Sequence, residues 1–481
     1  MRTPERGLVL AVALLTSACS LAPAYRVPEV PVATQYREAG PWQPAQPSDA
    51  LARDGWWQRY GDADMDRLQQ QLAANNADLA AALAHYQQAV AIRRGIRADL
   101  FPQVGVNGNA QRDRQSDTKP LRGATSPANY NTFTLGAQLD YEVDLWGRVH
   151  DSVAAGNAEF AAAGADLANA RLSLQANLAD EVLVARGLDR QIDLLRQSID
   201  AYTRALALTR TRHEGGIASG LDVARAQTQL SSARSQLQQT QAQRALTEHA
   251  IAVLVGDTPS RFALAPSTAP IALPAIPLGL PSTLLERRPD IAAAERRTAA
   301  ANARVGVARS AFFPSITLDA QGGFQSAAYG GLLDYPNRFW AIGPTVLLSV
   351  FDGGRRKAAV EQAKAATDEA GAHYRSIVLN AFAQVEDSQS QLADLGGAIA
   401  DQKVAADAAQ HSLDLSMDRY RQGAVGYLDV VTAQTAALDA QRALIELQTQ
   451  QLRASVQLVR ALGGGWTRES LAQGKTAAKP Q

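Results

Sequence analysis

The side chains able to ligate a metal or act as nucleophiles are few and dispersed. The chain has six histidines (His85, His150, His213, His249, His373 and His411) and one cysteine, Cys19. No histidine stands at metal-ligand spacing from another. No glycine-rich phosphate loop follows a strand-like run. These residues therefore point to no enzyme, no metal centre and no cofactor. Basic and acidic residues number 47 each, so no strong field points to nucleic acid. Two chemistries remain. One belongs to Cys19, which has no second cysteine to pair with. The other belongs to two carboxylates, Asp222 and Asp429, each just after a glycine-rich break.

Cys19 is positioned by what precedes it. Arg2 and Arg6 lead into an apolar run over 8–15, then Thr16, Ser17 and Ala18. A charged start, a short apolar run and small residues form a secretory signal with its cleavage site. Residues 1–18 read as a lipoprotein signal peptide and Cys19 as the acylated first residue of the mature chain. Residues 19–63 read as an extended proline-rich arm, with Pro23, Pro28, Pro31, Pro41, Pro44 and Pro47. Beyond the N-terminus no apolar run is long enough for a transmembrane helix.

The carboxylates are positioned by two helical hairpins. Gly216 answers Gly423, Leu221 answers Leu428, Asp222 answers Asp429 and Gln227 answers Gln434, all at one offset. The chain therefore reads as two repeats. Repeat one covers 64–258, with strands over about 103–112 and 132–145, a long helix over 148–213 and a return helix over 221–255. A crossover spans 259–281. Repeat two covers 282–463, with strands over 315–324 and 340–351, a long helix over 355–421 and a return helix over 427–462. Residues 464–481 form a tail. Ala185, Leu188, Ile192, Leu195, Ile199, Tyr202 and Leu206 step as a coiled-coil seam. Gly215, Gly216, Gly220, Gly423 and Gly426 supply the turns.

The strand stretches alternate. Phe133, Leu135, Ala137, Leu139 and Tyr141 face one way; Thr134, Gln138, Asp140, Glu142 and Asp144 face the other. Asp319 lies on the corresponding polar face of repeat two. Apolar-out and polar-in alternation suits a transmembrane β-hairpin and also a half-buried soluble one. Four strands in lipid leave two open edges, each unpaired backbone group costing several kcal/mol. The smallest barrels have about eight strands, so two, three or four copies must close one barrel between them.

Several motifs carry a resemblance. They are Cys19 with Pro23, Tyr25 and Pro28; Gly55-Trp56-Trp57; Phe101-Pro102 and Phe313-Pro314; Phe351-Asp352-Gly353-Gly354-Arg355; and Arg419-Tyr420 with Gly423, Leu428 and Ala433-Gln434. Together they resemble the TolC/OprM-like outer membrane factors, lipoprotein branch. The resemblance implies an α+β membrane protein, a homotrimer with a twelve-stranded β-barrel in the outer membrane and a periplasmic α-helical barrel. Its implied role is the exit duct of a tripartite efflux pump, conducting small molecules from a periplasmic adaptor and an inner-membrane pump of RND or MFS type. It implies a periplasmic gate at Leu428 and Asp429, a latch between Tyr420 and Asp222, and pore-lining Asp140, Glu142, Asp144 and Asp319. Family members often have a second aspartate where this chain has Thr432. A type I protein-secretion duct shares this architecture. A non-conducting coiled-coil lipoprotein scaffold accounts for the heptads but not for the strands.

Overall fold

The computed structural model describes residues 20–31, 37, 55–116, 118, 123, 127–274, 276 and 288–464. Cys19, the signal stretch, all of the tail beyond 464, and crossover residues 275 and 277–281 lie outside the described residues. The helices are α1 Ala63–Asn75, α2 Ala77–Ala98, α3 Arg148–Glu214, α4 Gly220–Leu254, α5 Pro289–Ser310, α6 Arg355–Arg421 and α7 Tyr427–Ala461. The strands are β1 Gln103–Arg114, β2 Asn129–Glu142, β3 Ser315–Ser326 and β4 Arg338–Leu347. Among the described residues no helix is long and apolar enough to cross a membrane.

The duplication is visible in element lengths. α2 and α5 each have 22 residues, α3 and α6 each 67, and α4 and α7 each 35. One offset carries Arg148 to Arg355, Glu214 to Arg421, Gly220 to Tyr427 and Leu254 to Ala461. Each 67-residue helix is about 100 Å long at ~1.5 Å per residue. Proline-free, alanine- and leucine-rich sequence favours that length. The heptad positions become core: Ala185 and Leu195 are fully buried, and Leu188, Ile192, Tyr202 and Leu206 on α3 and Leu438, Ile445 and Leu452 on α7 are buried.

All four strands join one antiparallel sheet in the order β1-β2-β3-β4. Register places Val104, Leu139, Ala320 and Ile342 in one rung, and Val106, Ala137, Gly322 and Trp340 in the next on that face. This apolar face is open: Val106 is 79% and Trp340 77% exposed. The opposite face carries the rung Gln103, Asp140, Asp319 and Gly343, followed by Gly105, Gln138, Gln321 and Ala341. Period-2 alternation held in register across four strands gathers the large apolar side chains on one face and the polar ones on the other, with only Ala341 and glycines among the polar rungs. Pro344 sits in β4, an edge strand, where a missing N–H is tolerated. Gly323 is obligatory, because a Cβ there would stand 2.3 Å from the Leu135 carbonyl oxygen.

Two strands end earlier than the sequence reading placed them, and the other two run two residues further. β2 ends at Glu142 and β4 at Leu347, before the expected 145 and 351. The Glu142 carboxylate takes both arms of the Arg148 guanidinium, at 2.6 and 2.5 Å, and this ties the strand end to the first residue of α3. Asp144 is therefore not a strand residue. It lies in the connection and accepts the His150 backbone N–H at 2.7 Å, near the start of α3.

The chain divides into two compact units. One gathers the residues up to Glu29, Tyr86–Ala163 and Ala293–Tyr374; it contains the sheet. In it the N-terminal segment is extended, as its prolines require, and lies against α5 and the start of α3. Ser20 Oγ donates to Asp151 at 2.6 Å, Arg309 donates to the Leu21 carbonyl, Asn302 to that of Pro23, and the Tyr25 hydroxyl to Glu295. Trp146 stacks on Phe313 and donates to the Pro314 carbonyl at 2.7 Å.

The other unit gathers Val30–His85, Gly164–Ala292 and the chain from Arg375. Met65, Leu68 and Leu72 of α1 pack with Leu178, Val182 and Leu183 of α3 and Ile251 of α4. Each such side chain contributes about 1.5–3 kcal/mol relative to exposure. Two buried arginines fasten the crossover. Arg186 reaches Asp62, Asp64 and the Ala265 carbonyl; Arg244 reaches Asp189 and the Leu264 carbonyl. Asp189 in turn accepts the Ser267 backbone N–H.

Candidate functional site: the two helical hairpins

The hairpins are built by local backbone chemistry. At the end of α3, Gly216 takes φ 75°; at the end of α6, Gly423 takes φ 78°. Left-handed backbone of this kind favours glycine. The Ile217 N–H returns to the Arg212 carbonyl at 2.8 Å, and the Ala424 N–H to that of Arg419 at 2.8 Å, closing both helix ends. Gly215, Gly220 and Gly426 have no positive φ. Gly220 is simply the first residue of α4, and Gly426 is the N-cap of α7.

The hairpins are joined by a buried cluster of Tyr202, Leu206, Ala226, Leu230, Tyr420, Tyr427 and Val430. Tyr420 and Tyr427 meet edge to face at 5.3 Å. Burial pushes the Tyr427 hydroxyl up to about 12. The Tyr202 hydroxyl donates to the Gln434 carbonyl at 3.2 Å.

The expected latch residues do not bond each other within the chain. The Tyr420 hydroxyl donates instead to Thr209 Oγ1 at 3.2 Å. Asp222 closes a capping box with Ser219, accepting that residue's backbone N–H and hydroxyl, and it also pairs with Arg225 at 3.5 Å. A local cap in the first turn of α4 uses this carboxylate.

A different residue ties the hairpins. The Arg212 guanidinium donates to the carbonyls of Tyr420 and Arg421, both at 2.6 Å. It also lies 4.6 Å from the centre of the Tyr420 ring. A cation at the last turn of α6 meets the terminal carbonyls and the negative end of the helix dipole. Arg212 thus serves two helix ends, its own carbonyl closing α3 and its side chain closing α6. Sequence reasoning missed it. The available signal was its place in the repeat, where it answers Arg419 of the family motif.

Asp429 differs from its counterpart Asp222 in just these partners. Where α4 has Ser219, α7 has Gly426, with no capping side chain. Where α4 has Arg225, α7 has Thr432, whose hydroxyl turns back to the Leu428 carbonyl. Asp429 is exposed, and no hydrogen bond or ion pair engages its carboxylate among the described residues. Leu428 beside it is 52% exposed. The second hairpin therefore presents an uncommitted carboxylate and an uncovered leucine side by side.

On the sheet, Asp140 faces Asp319 directly across the β2–β3 ladder. Glu142 shares their face but is held by Arg148. Among the described residues no cluster of histidine, cysteine or carboxylates could hold a metal.

Comparison with known proteins agrees with this geometry. Residues 68–257 and 280–464 match the family described as outer membrane efflux protein. The chain is 34% identical over 456 residues to the probable efflux pump outer membrane protein TtgC of Pseudomonas putida, covering 94% of each chain. It is 34% identical over 470 residues to the outer membrane protein OprJ of Pseudomonas aeruginosa, covering 97% of each. It superposes on the outer-membrane channel OprN with a TM-score of 0.84 at 30% identity, covering 93% of this chain and all of that one. With the family match spanning both repeats, the chain belongs to the outer membrane efflux protein family.

Proposed function

We propose that this protein is an outer-membrane exit duct, passively conducting small molecules that a periplasmic adaptor and an inner-membrane pump of RND or MFS type deliver to it. The observation that carries the reading is the sheet. Its apolar face is uncovered in the single chain, and β1 and β4 are each paired along one edge only. A membrane-inserted sheet must close on itself. Three copies would join β4 of one chain to β1 of the next and complete a twelve-stranded barrel. The names of the relatives TtgC and OprJ support efflux at the outer membrane.

In that assembly the apolar rungs meet lipid and the rungs holding Asp140 and Asp319 line the pore. Cys19, acylated after signal removal, anchors the chain to the outer membrane. The hairpins form the periplasmic gate. Around the axis the copies of Asp429 and Leu428 converge, giving a carboxylate ring beside an apolar ring. Asp429 suits this role because it has no cap to serve, whereas Asp222 has one. Residue 432 is threonine, so a single ring of carboxylates forms.

Single-channel conductance of the purified protein in planar bilayers tests the proposal. A small, well-defined wild-type conductance and a clearly larger one for Asp429→Ala are expected. Folded, inserted protein that conducts nothing in either form would sink the duct reading. Equal conductance in both would keep the duct and remove Asp429 from the gate.

A further inference from the structure

Arg212 has a counterpart with nothing to hold. The repeat offset carries Arg212 to Arg419, His213 to Tyr420 and Glu214 to Arg421. Both arginines stand in the last turn of a 67-residue helix, and both carbonyls close the following glycine turn. Arg212 grips the end of α6 in its own chain. Arg419 is exposed, and no hydrogen bond or ion pair engages its guanidinium among the described residues.

A second observation comes from the helix end that Arg419 would match. The last residue of α3 is Glu214, a carboxylate at the negative end of a helix dipole, where anions are disfavoured. Glu214 is exposed and no cation pairs with it among the described residues. The nearest basic neighbour in sequence with a side-chain fork, Arg212, is committed to the end of α6. The end of α6 differs, because Arg421 is basic and pairs with Asp418 at 3.0 Å. The last turn of α3 holds Arg212 and His213, yet neither pairs with the Glu214 carboxylate, and Arg419 has no anion among the described residues.

We infer that Arg419 of one copy clasps the end of α3 in the next copy, donating to the carbonyls of His213 and Glu214 and pairing with the Glu214 carboxylate. The inference rests on the homotrimer reading. In a closed ring of alternating hairpins, the first hairpin reaches the second within a chain, and quasi-equivalence makes the second reach the first of the neighbour. The same contact then recurs around the ring, within and between chains by turns. The two versions differ in one respect. Within the chain the guanidinium stacks on the Tyr420 phenol; between chains the imidazole of His213 occupies that place.

Paired cysteines test the contact in the assembled, membrane-extracted protein. R419C/E214C treated with a bismaleimide whose spacer matches an arginine–glutamate span is expected to shift from the monomer band to dimer and trimer bands on denaturing gels, the span being too long for a direct disulfide. The single variants R419C and E214C control for pairing with Cys19, and R212C/R421C is expected to stay in the monomer band. Failure of R419C/E214C to cross-link while native mass spectrometry still reports a trimer would overturn the clasp. Absence of any trimer would overturn the oligomer reading beneath it. A charge-exchange pair gives an independent readout. R419E is expected to raise single-channel conductance, and R419E/E214R to bring it back towards wild type; no rescue together with no cross-link refutes the pairing.

Discussion

Replacing Arg212 with glutamine should loosen the end of α6 without disturbing the rest of that helix. The arginine makes two bonds of 2.6 Å to terminal carbonyls and lies over the Tyr420 ring. Hydrogen bonds to charged groups contribute about 1.5–3 kcal/mol each in net terms, and a cation over an exposed ring about 0.5–1 kcal/mol. Arg212 is only half-buried, so solvent screens part of this, and glutamine keeps a neutral donor. A net loss of about 2 kcal/mol is reasonable. At about 1.4 kcal/mol per tenfold, opening of the last turn should become ~30-fold more frequent. Native-state hydrogen exchange on the purified protein reads this at Gln422, Gly423 and Ala424, whose amides bond the carbonyls of Asp418, Tyr420 and Arg419. Their protection should fall by that factor, while amides near Val385, in the core further along α6, stay unchanged. Arg212→Lys should recover part of the loss, since lysine supplies charge but no fork. Less than about twofold change at those three amides would refute the reasoning that this side chain holds the two hairpins together.

Three other outcomes follow from the contacts described. Asp222→Ala should lower thermal stability by roughly 0.5–1.5 kcal/mol through the lost hydrogen bond to the Ser219 N–H, yet leave conductance near wild type; a conductance jump equal to that of Asp429→Ala would show that both carboxylates gate. Arg186→Met should be strongly destabilising, about 3–5 kcal/mol, because Asp62 and Asp189 lose a buried cation; an unfolding midpoint within a degree of wild type contradicts this. Burial pushes the hydroxyls of both Tyr60 and Tyr427 up to about 12. The folded state therefore favours their neutral forms. The resulting stability is complete below the ordinary tyrosine value near 10 and is lost as pH rises towards 12. Tyr60→Phe should flatten the alkaline limb of the stability profile while lowering its plateau, because the 2.7 Å bond to Ser455 goes too; an unchanged limb would argue against it.

The long helices were legible because their signals are local and repeated. Proline-free composition, heptad spacing and paired glycine turns needed no knowledge of packing. Strand faces were legible for the same reason, as alternation is a property of one strand. Strand ends were not. Val143 continues the alternation of β2, and its N–H even bonds the Ile316 carbonyl, but the strand stops at Glu142, where Arg148 binds. Nothing in period-2 patterning marks that event. The capping role of Asp222 was also readable, because Ser219 precedes it by three residues. The partners of Tyr420 were not, since Thr209 and Arg212 reach it across the interface between two hairpins. Which side chain wins such a contact depends on the rotation of each helix about its axis, and the heptad fixes that only to within a turn.

The strand order has a consequence for how the molecule is made. β1 and β2 are neighbours in sequence, as are β3 and β4, but the sheet is joined through β2 and β3, where Leu139 meets Ala320. A ribosome releases the first pair well before the second exists. Until then the free side of β2 is an open template for any passing strand. Contacts so distant in sequence also form slowly, since loop closure precedes any gain. The helices of the first repeat can collapse on one another in the meantime, but the sheet cannot be completed until the second repeat has left the ribosome. The nascent chain therefore travels with one sticky flank, and shielding that flank during transit is a requirement that the topology itself imposes.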